Sequence, residues 1–159
     1  MKIFPILFLI VLRLPAIVQP GVAGHYRDHF GSEIEFNPDS SFHYLWRFDL
    51  QASWTRGTYT VRHDTIYLTT IPVYDTVQVN HGNQLADSLV LSAEGHPKRV
   101  SLSERAAFCC VSQNSLPSPK LLYYRKGRLY EIDKQGKLIR KKRRGWGKKK
   151  FDPWYFRSI

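Results

Sequence analysis

The chain is poor in sulfur, with two cysteines and one methionine among 159 residues. Cys109 and Cys110 are adjacent, so they cannot form the spaced set of bridges that holds small exported domains together. They lie in an apolar stretch from Ala106 to Val111, where buried reduced thiols, a strained vicinal disulfide and an intermolecular bond all stay open. No paired-cysteine motif, HExxH or GxSxG occurs, so the commonest zinc and serine-hydrolase signatures are absent. No amphipathic helical period persists, which argues against an α/β architecture. Long apolar runs are missing too. The stretch from Ile3 to Leu12 is stopped by Arg13, well short of the roughly 20 residues that span a bilayer as a helix. Acid is missing from one place in particular, as no Asp or Glu stands between Lys137 and Lys150.

The N-terminus reads as a secretory signal peptide over residues 1–23. It has Lys2, a short apolar core, then Gly21-Val22-Ala23, with small residues placed for a cut after Ala23. The expected compartment is therefore periplasmic or extracellular. The mature part, 24–159, is one domain by length. The formal net charge is +11. Setting Lys2 and Arg13 aside leaves 22 bases against 13 acids, and nine of those bases fall within residues 137–150. The remainder of the mature chain balances to zero, so the excess is one local patch.

Two-residue alternation dominates. Residues 33–36 alternate before a turn at Asn37-Pro38-Asp39-Ser40. Ser41 to Asp49 places Phe42, Tyr44, Trp46 and Phe48 on one strand face. Trp54 to Arg62 follows, with Gly57 as an expected bulge or bend; after the tight His63-Asp64 connection, Thr65 to Thr70 returns. Pro72 to Gln84 is irregular and Ala86 to Ser92 is a further strand. Ser101 to Glu104 resembles a capping box before a short helix. Leu121 to Arg125, Leu129 to Ile132 and Lys137 to Lys141 close the series, with hairpin turns at 126–128 and 133–136. Seven or eight short strands and at most one short helix predict a mainly β fold, a single antiparallel β-barrel or barrel-like sheet.

Gly24-His25-Tyr26, Phe42 after a turn, and the stretch GTYTVRHDTIYL together resemble a rhythm of small secreted bacterial lipocalin-like β proteins of uncharacterised function. The ending KGRLYEIDKQGKLIRKKRRG and KKKFDPWYF resembles the ends of similar exported proteins. The resemblance covers about half of the mature chain. It rests on glycines, turn residues and core aromatics, implies an antiparallel barrel, and carries over no catalytic residue. The basic tail departs from the pattern.

Candidate chemistry is sparse. His25 and His29 are four apart, but strand spacing separates them too far to chelate one ion tightly. Glu33 and Glu35 share one strand face and read as the polar side of an edge strand. Ser112, Ser115 and Ser118 lie in or beside a loop. No metal, cofactor or catalytic residue is expected, and the chain reads as a binding or structural module. Its expected site is Arg140, Lys141, Lys142, Arg143, Arg144, Trp146, Lys148, Lys149 and Lys150, facing anionic lipid head groups or acidic glycans of the envelope. Nucleic acid carries suitable phosphates, but export makes it a poor partner. The alternative is a lipocalin-like carrier holding a small apolar ligand in the barrel interior, lined by Phe42, Tyr44, Trp46, Trp54, Tyr59 and Tyr67.

Overall fold

The computed structural model describes residues 21–158 except 82–83, 108–110, 114–117 and 146. Most of the expected leader, Cys109, Cys110, Ser115 and Trp146 therefore lie outside the described residues. In chain order the elements are β1 (Gly24–Arg27), β2 (Ser32–Phe36), β3 (Ser41–Phe48), β4 (Gln51–Arg62), β5 (Thr65–Thr70), β6 (Tyr74–His81), β7 (Gln84–Leu91), β8 (Arg99–Val100), α1 (Leu102–Ala107), β9 (Val111–Gln113), β10 (Leu121–Arg125), β11 (Arg128–Glu131), β12 (Arg143–Arg144), β13 (Lys150–Phe151) and β14 (Tyr155–Arg157).

Eight of these close an antiparallel barrel in the order β1-β2-β3-β4-β5-β10-β11-β14 and back to β1. Spatial order follows chain order, so each strand lies beside its predecessor in the ring. Two excursions leave the ring. Residues 71–120 form the three-stranded β7-β6-β8 sheet, α1, and β9, which runs parallel to the start of β4. Residues 132–154 form a basic strap that carries the β12–β13 hairpin.

Alternation explains the ring. In β2, Ser32, Ile34 and Phe36 are buried and Glu35 is exposed; in β3, Phe42 and Tyr44 are buried and His43 is exposed. Ile34, Phe36, Phe42 and Tyr44 form one contiguous core with Val22, Tyr26, Tyr59, Ile66, Leu122, Leu129 and Tyr155. An eight-stranded barrel is just wide enough for side chains to fill it. The turns fit as well. His63 and Asp64 both take positive φ (48° and 64°), as do Lys126 and Gly127 (49° and 73°), which is the geometry of tight primed hairpins.

Several expectations are corrected. Gly57 makes no bulge; it pairs in register with Phe42 on one side and Thr70 on the other. A Cβ there would collide with the Thr69 carbonyl oxygen and stand 2.9 Å from the Phe42 ring, so the glycine serves close approach. Glu33 and Glu35 are not on an edge, because β2 pairs with both β1 and β3. Pro72 to Gln84 contains a regular strand, β6. Lys137 to Lys141 is no strand and contributes a single bridge between Ile132 and Leu138. The closing strand is instead β14, in the aromatic stretch after the strap. The capping box is present: the Ser101 backbone N–H donates to Glu104 Oε2 (2.7 Å) and the Glu104 N–H to Ser101 Oγ (3.2 Å).

Candidate functional site

The two ends of the barrel differ. Going from the β2–β3 turn toward the β1–β2 turn, the inward residues change from Phe36 through Ile34 to Ser32 on β2, and from Phe42 through Tyr44 to Trp46 on β3. On β11 they change from Leu129 to Glu131. One end is therefore plugged by apolar side chains. There the Tyr26 hydroxyl donates to the Val22 carbonyl (2.9 Å) and the Tyr59 hydroxyl to the Asn37 carbonyl (2.9 Å). Burial, and secondarily the neighbouring Tyr124, push the Tyr26 phenol up to about 12. The other end is a polar mouth.

The expected ligand-cavity residues separate in the fold. Phe42, Tyr44 and Tyr59 are buried in the core and Trp46 packs at its edge. Trp54 lies outside the ring, where its indole N–H donates to the Ala93 carbonyl (2.9 Å) and ties the first excursion to the wall. Tyr67 is 42% exposed on the outer surface.

The expected basic site also divides. Two of its cations are paired. Lys142 stands 3.3 Å from Asp152, and Arg143 grips Glu131 through both terminal nitrogens, at 2.6 and 3.4 Å. That hydrogen bond is the main cause holding the Arg143 guanidinium above its ordinary value. Arg143 therefore turns into the mouth and does not face outward with its neighbours. Lys137, Arg140, Lys141, Arg144, Lys148, Lys149 and Lys150 form no ion pair with a carboxylate among the described residues; Lys149 instead lies 5.1 Å over the Phe151 ring. Both flanks of the strap are anchored. The Ile139 N–H donates to the Glu131 carbonyl (2.9 Å), and Phe151 packs against His29 at 5.0 Å between centroids.

Arg140 has partners that sequence reading missed. The strap lies beside the β10–β11 turn, and the two bound a surface pocket of about 460 Å³ lined by Arg125, Lys126, Arg128, Arg140, Tyr130 and Trp154. Arg125 and Arg128 face each other directly across the hairpin, an arrangement that costs energy unless an anion relieves it. Arg128 lies 5.2 Å over the Trp154 ring, and Tyr130 packs on the same indole at 5.6 Å. Among the described residues no carboxylate lines this pocket. The local signal was Arg-Lys-Gly-Arg at 125–128, which reads as ordinary turn chemistry until the strap is placed beside it.

The histidine pair is dispersed: His25 lies 3.6 Å from Glu33, while His29 packs at a tilt against Phe151 and Phe156. Among the described residues no group of His, Cys, Asp or Glu is arranged to hold a metal ion, and no helix is long and apolar enough to cross a membrane. No family model, curated protein or solved structure matches the chain.

Proposed function

We propose that the protein is an exported, non-catalytic binding module that docks onto anionic groups of the cell envelope, either phosphate-bearing lipid head groups or acidic glycans. The observation that carries this reading is the wall pocket, where four cations converge around a Tyr–Trp pair with no carboxylate among the lining residues. Guanidinium groups recognise phosphate and carboxylate through paired hydrogen bonds. The indole and phenol beside them give the organic part of such a group a surface to pack on. The unpaired strap cations extend the same field beyond the pocket. Export, expected from residues 1–23, selects envelope polyanions over nucleic acid.

The test is retention of the full mature chain on phosphatidylglycerol vesicles and on an immobilised acidic polysaccharide, with zwitterionic vesicles as control. Binding to at least one anionic support, released by salt and absent from the zwitterionic one, is the expected result. Passage through all three supports at low ionic strength overturns the reading.

A further inference from the structure

The polar mouth opens into a cavity of about 380 Å³. We infer that this mouth is a binding site for a neutral sugar ring. Four hydroxyl-bearing residues line it: Ser32, Tyr44, Ser118 and Tyr155. The Tyr44 hydroxyl donates to Ser32 Oγ at 3.4 Å, and the Tyr155 phenol, 1% exposed, lies beside both. Glu131 and Arg143 close one side as a bidentate pair. Trp46 stands at the rim, half-buried, with its ring stacked on Phe48 at 6.1 Å and 25°. Ser32, Tyr44, Trp46, Glu131 and Tyr155 come from four strands of the ring, β2, β3, β11 and β14, which set their spacing, while Arg143 is brought in by β12 of the strap.

The chemistry narrows the occupant. An apolar ligand would strip water from the part-exposed Glu131–Arg143 pair and return no hydrogen bonds, a costly exchange. An anion would meet two carboxylates, Asp28 and Glu131, against one guanidinium. Those charges are already satisfied locally. Asp28 accepts from the Phe30 and Ser32 N–H groups, both at 2.8 Å, and Glu131 is held by Arg143. The remaining lone pairs of the hydroxyls and the remaining guanidinium N–H groups are left for neutral donors and acceptors. A pyranose offers a rim of hydroxyls for them and an apolar C–H face for the indole of Trp46. The volume falls at the lower end of small-molecule sites, roughly 300–1,000 Å³, which suits one ring. This site is independent of the anion-docking surface; the residue it shares with the expected basic site is Arg143, which is already paired.

The experiment is an amide NMR titration of the full mature chain with glucose, galactose and N-acetylglucosamine, each taken to millimolar concentration, and with glucuronate. The expected result is saturable shifts at Ser32, Tyr44, Trp46 and Glu131 with at least one neutral sugar, and no tighter binding of glucuronate. Trp46→Ala should weaken that binding about tenfold, while Trp46→Phe, which keeps a ring at the rim, stays within a few-fold. Replacing Arg125, Arg128 and Arg140 by Gln should leave it unchanged. Absence of saturable shifts with all three neutral sugars overturns the inference, and so does a response confined to Tyr130 and Trp154. Binding by Trp46→Ala equal to that of the parent overturns it as well. None of these outcomes depends on whether the protein binds anionic supports.

Discussion

The wall pocket makes a quantitative prediction. Arg125, Lys126, Arg128 and Arg140 are all exposed. The Lys and Arg ion pairs formed by the described residues involve Lys98, Arg99, Lys142 and Arg143, and none of these four. Each cation held near an anionic membrane surface contributes on the order of 1 kcal/mol. Replacing all four by Gln should therefore cost about 4 kcal/mol, or about a thousandfold in partitioning onto phosphatidylglycerol vesicles. The control follows from the Lys142–Asp152 pair at 3.3 Å. Lys142→Gln alone uncovers the Asp152 carboxylate and changes net charge like any other lysine replacement. Lys142→Gln with Asp152→Asn removes both signs together and should leave partitioning within about twofold. Cosedimentation at several salt concentrations measures both variants. The four-residue variant should also show a weaker salt dependence, since the Debye length of about 8 Å at physiological ionic strength screens exposed charges of this kind, and the strap cations that remain keep part of it. Partitioning of that variant within threefold of the parent would refute the assignment of the pocket. So would an equal loss in the charge-neutral control.

The remaining predictions concern the barrel. Gly57→Ala drives a methyl group into the Thr69 carbonyl and the Phe42 ring; overpacking of this kind costs about 1–3 kcal/mol, and a thermal melt should fall by several degrees, whereas an unchanged melt would contradict the close approach. Leu129→Ala opens a cavity at a fully buried position and should cost about 2–5 kcal/mol by urea unfolding. Tyr26, Tyr44 and Tyr155 all have raised phenol values, with burial as the first cause. The folded state thus holds these protons more tightly than the unfolded chain, whose tyrosines titrate near pH 10 (roughly). Their contribution is complete below that pH and is lost as pH rises toward the Tyr26 value of about 12, so the urea midpoint should drop between those limits; a flat midpoint would count against the buried phenols. Glu131→Gln alone leaves the Arg143 charge unmatched at the mouth, while Glu131→Gln with Arg143→Gln removes both, so the single variant should be the less stable in a double-mutant cycle.

Much of the ring was legible because alternation is a local signal. Ser41 to Asp49 and Thr65 to Thr70 show period two, Leu121 to Arg125 is a short apolar and aromatic run, and each became a barrel strand within a residue of its expected bounds. The failures have a common cause. Lys137 to Lys141 carries strand-like residues, but β11 is already paired with β10 on one side and β14 on the other, so no continuous edge remained for it. Tyr155–Arg157 is too short for any periodic signal. It became the closing strand because β1 and β11 each left an edge open and Tyr155 fills the core between them. The site divides in the same way. The charge excess of 137–150 was visible as composition, whereas the inward turn of Arg143 depends on Glu131, which approaches it only through tertiary contact.

Turn chemistry, the alternating faces of β2 and β3 and the stretch that carries the surplus charge are written in neighbouring residues, because backbone sterics and side-chain alternation act over two to four positions. Ring closure, the plugged and the polar end, the pairing of Lys142 and Arg143, and the meeting of Arg140 with the 125–128 turn arise between segments distant in the chain. Each of these was settled by which edges and which charges were still unpaired when the barrel closed, and such competition is a property of the assembled fold that no local stretch encodes.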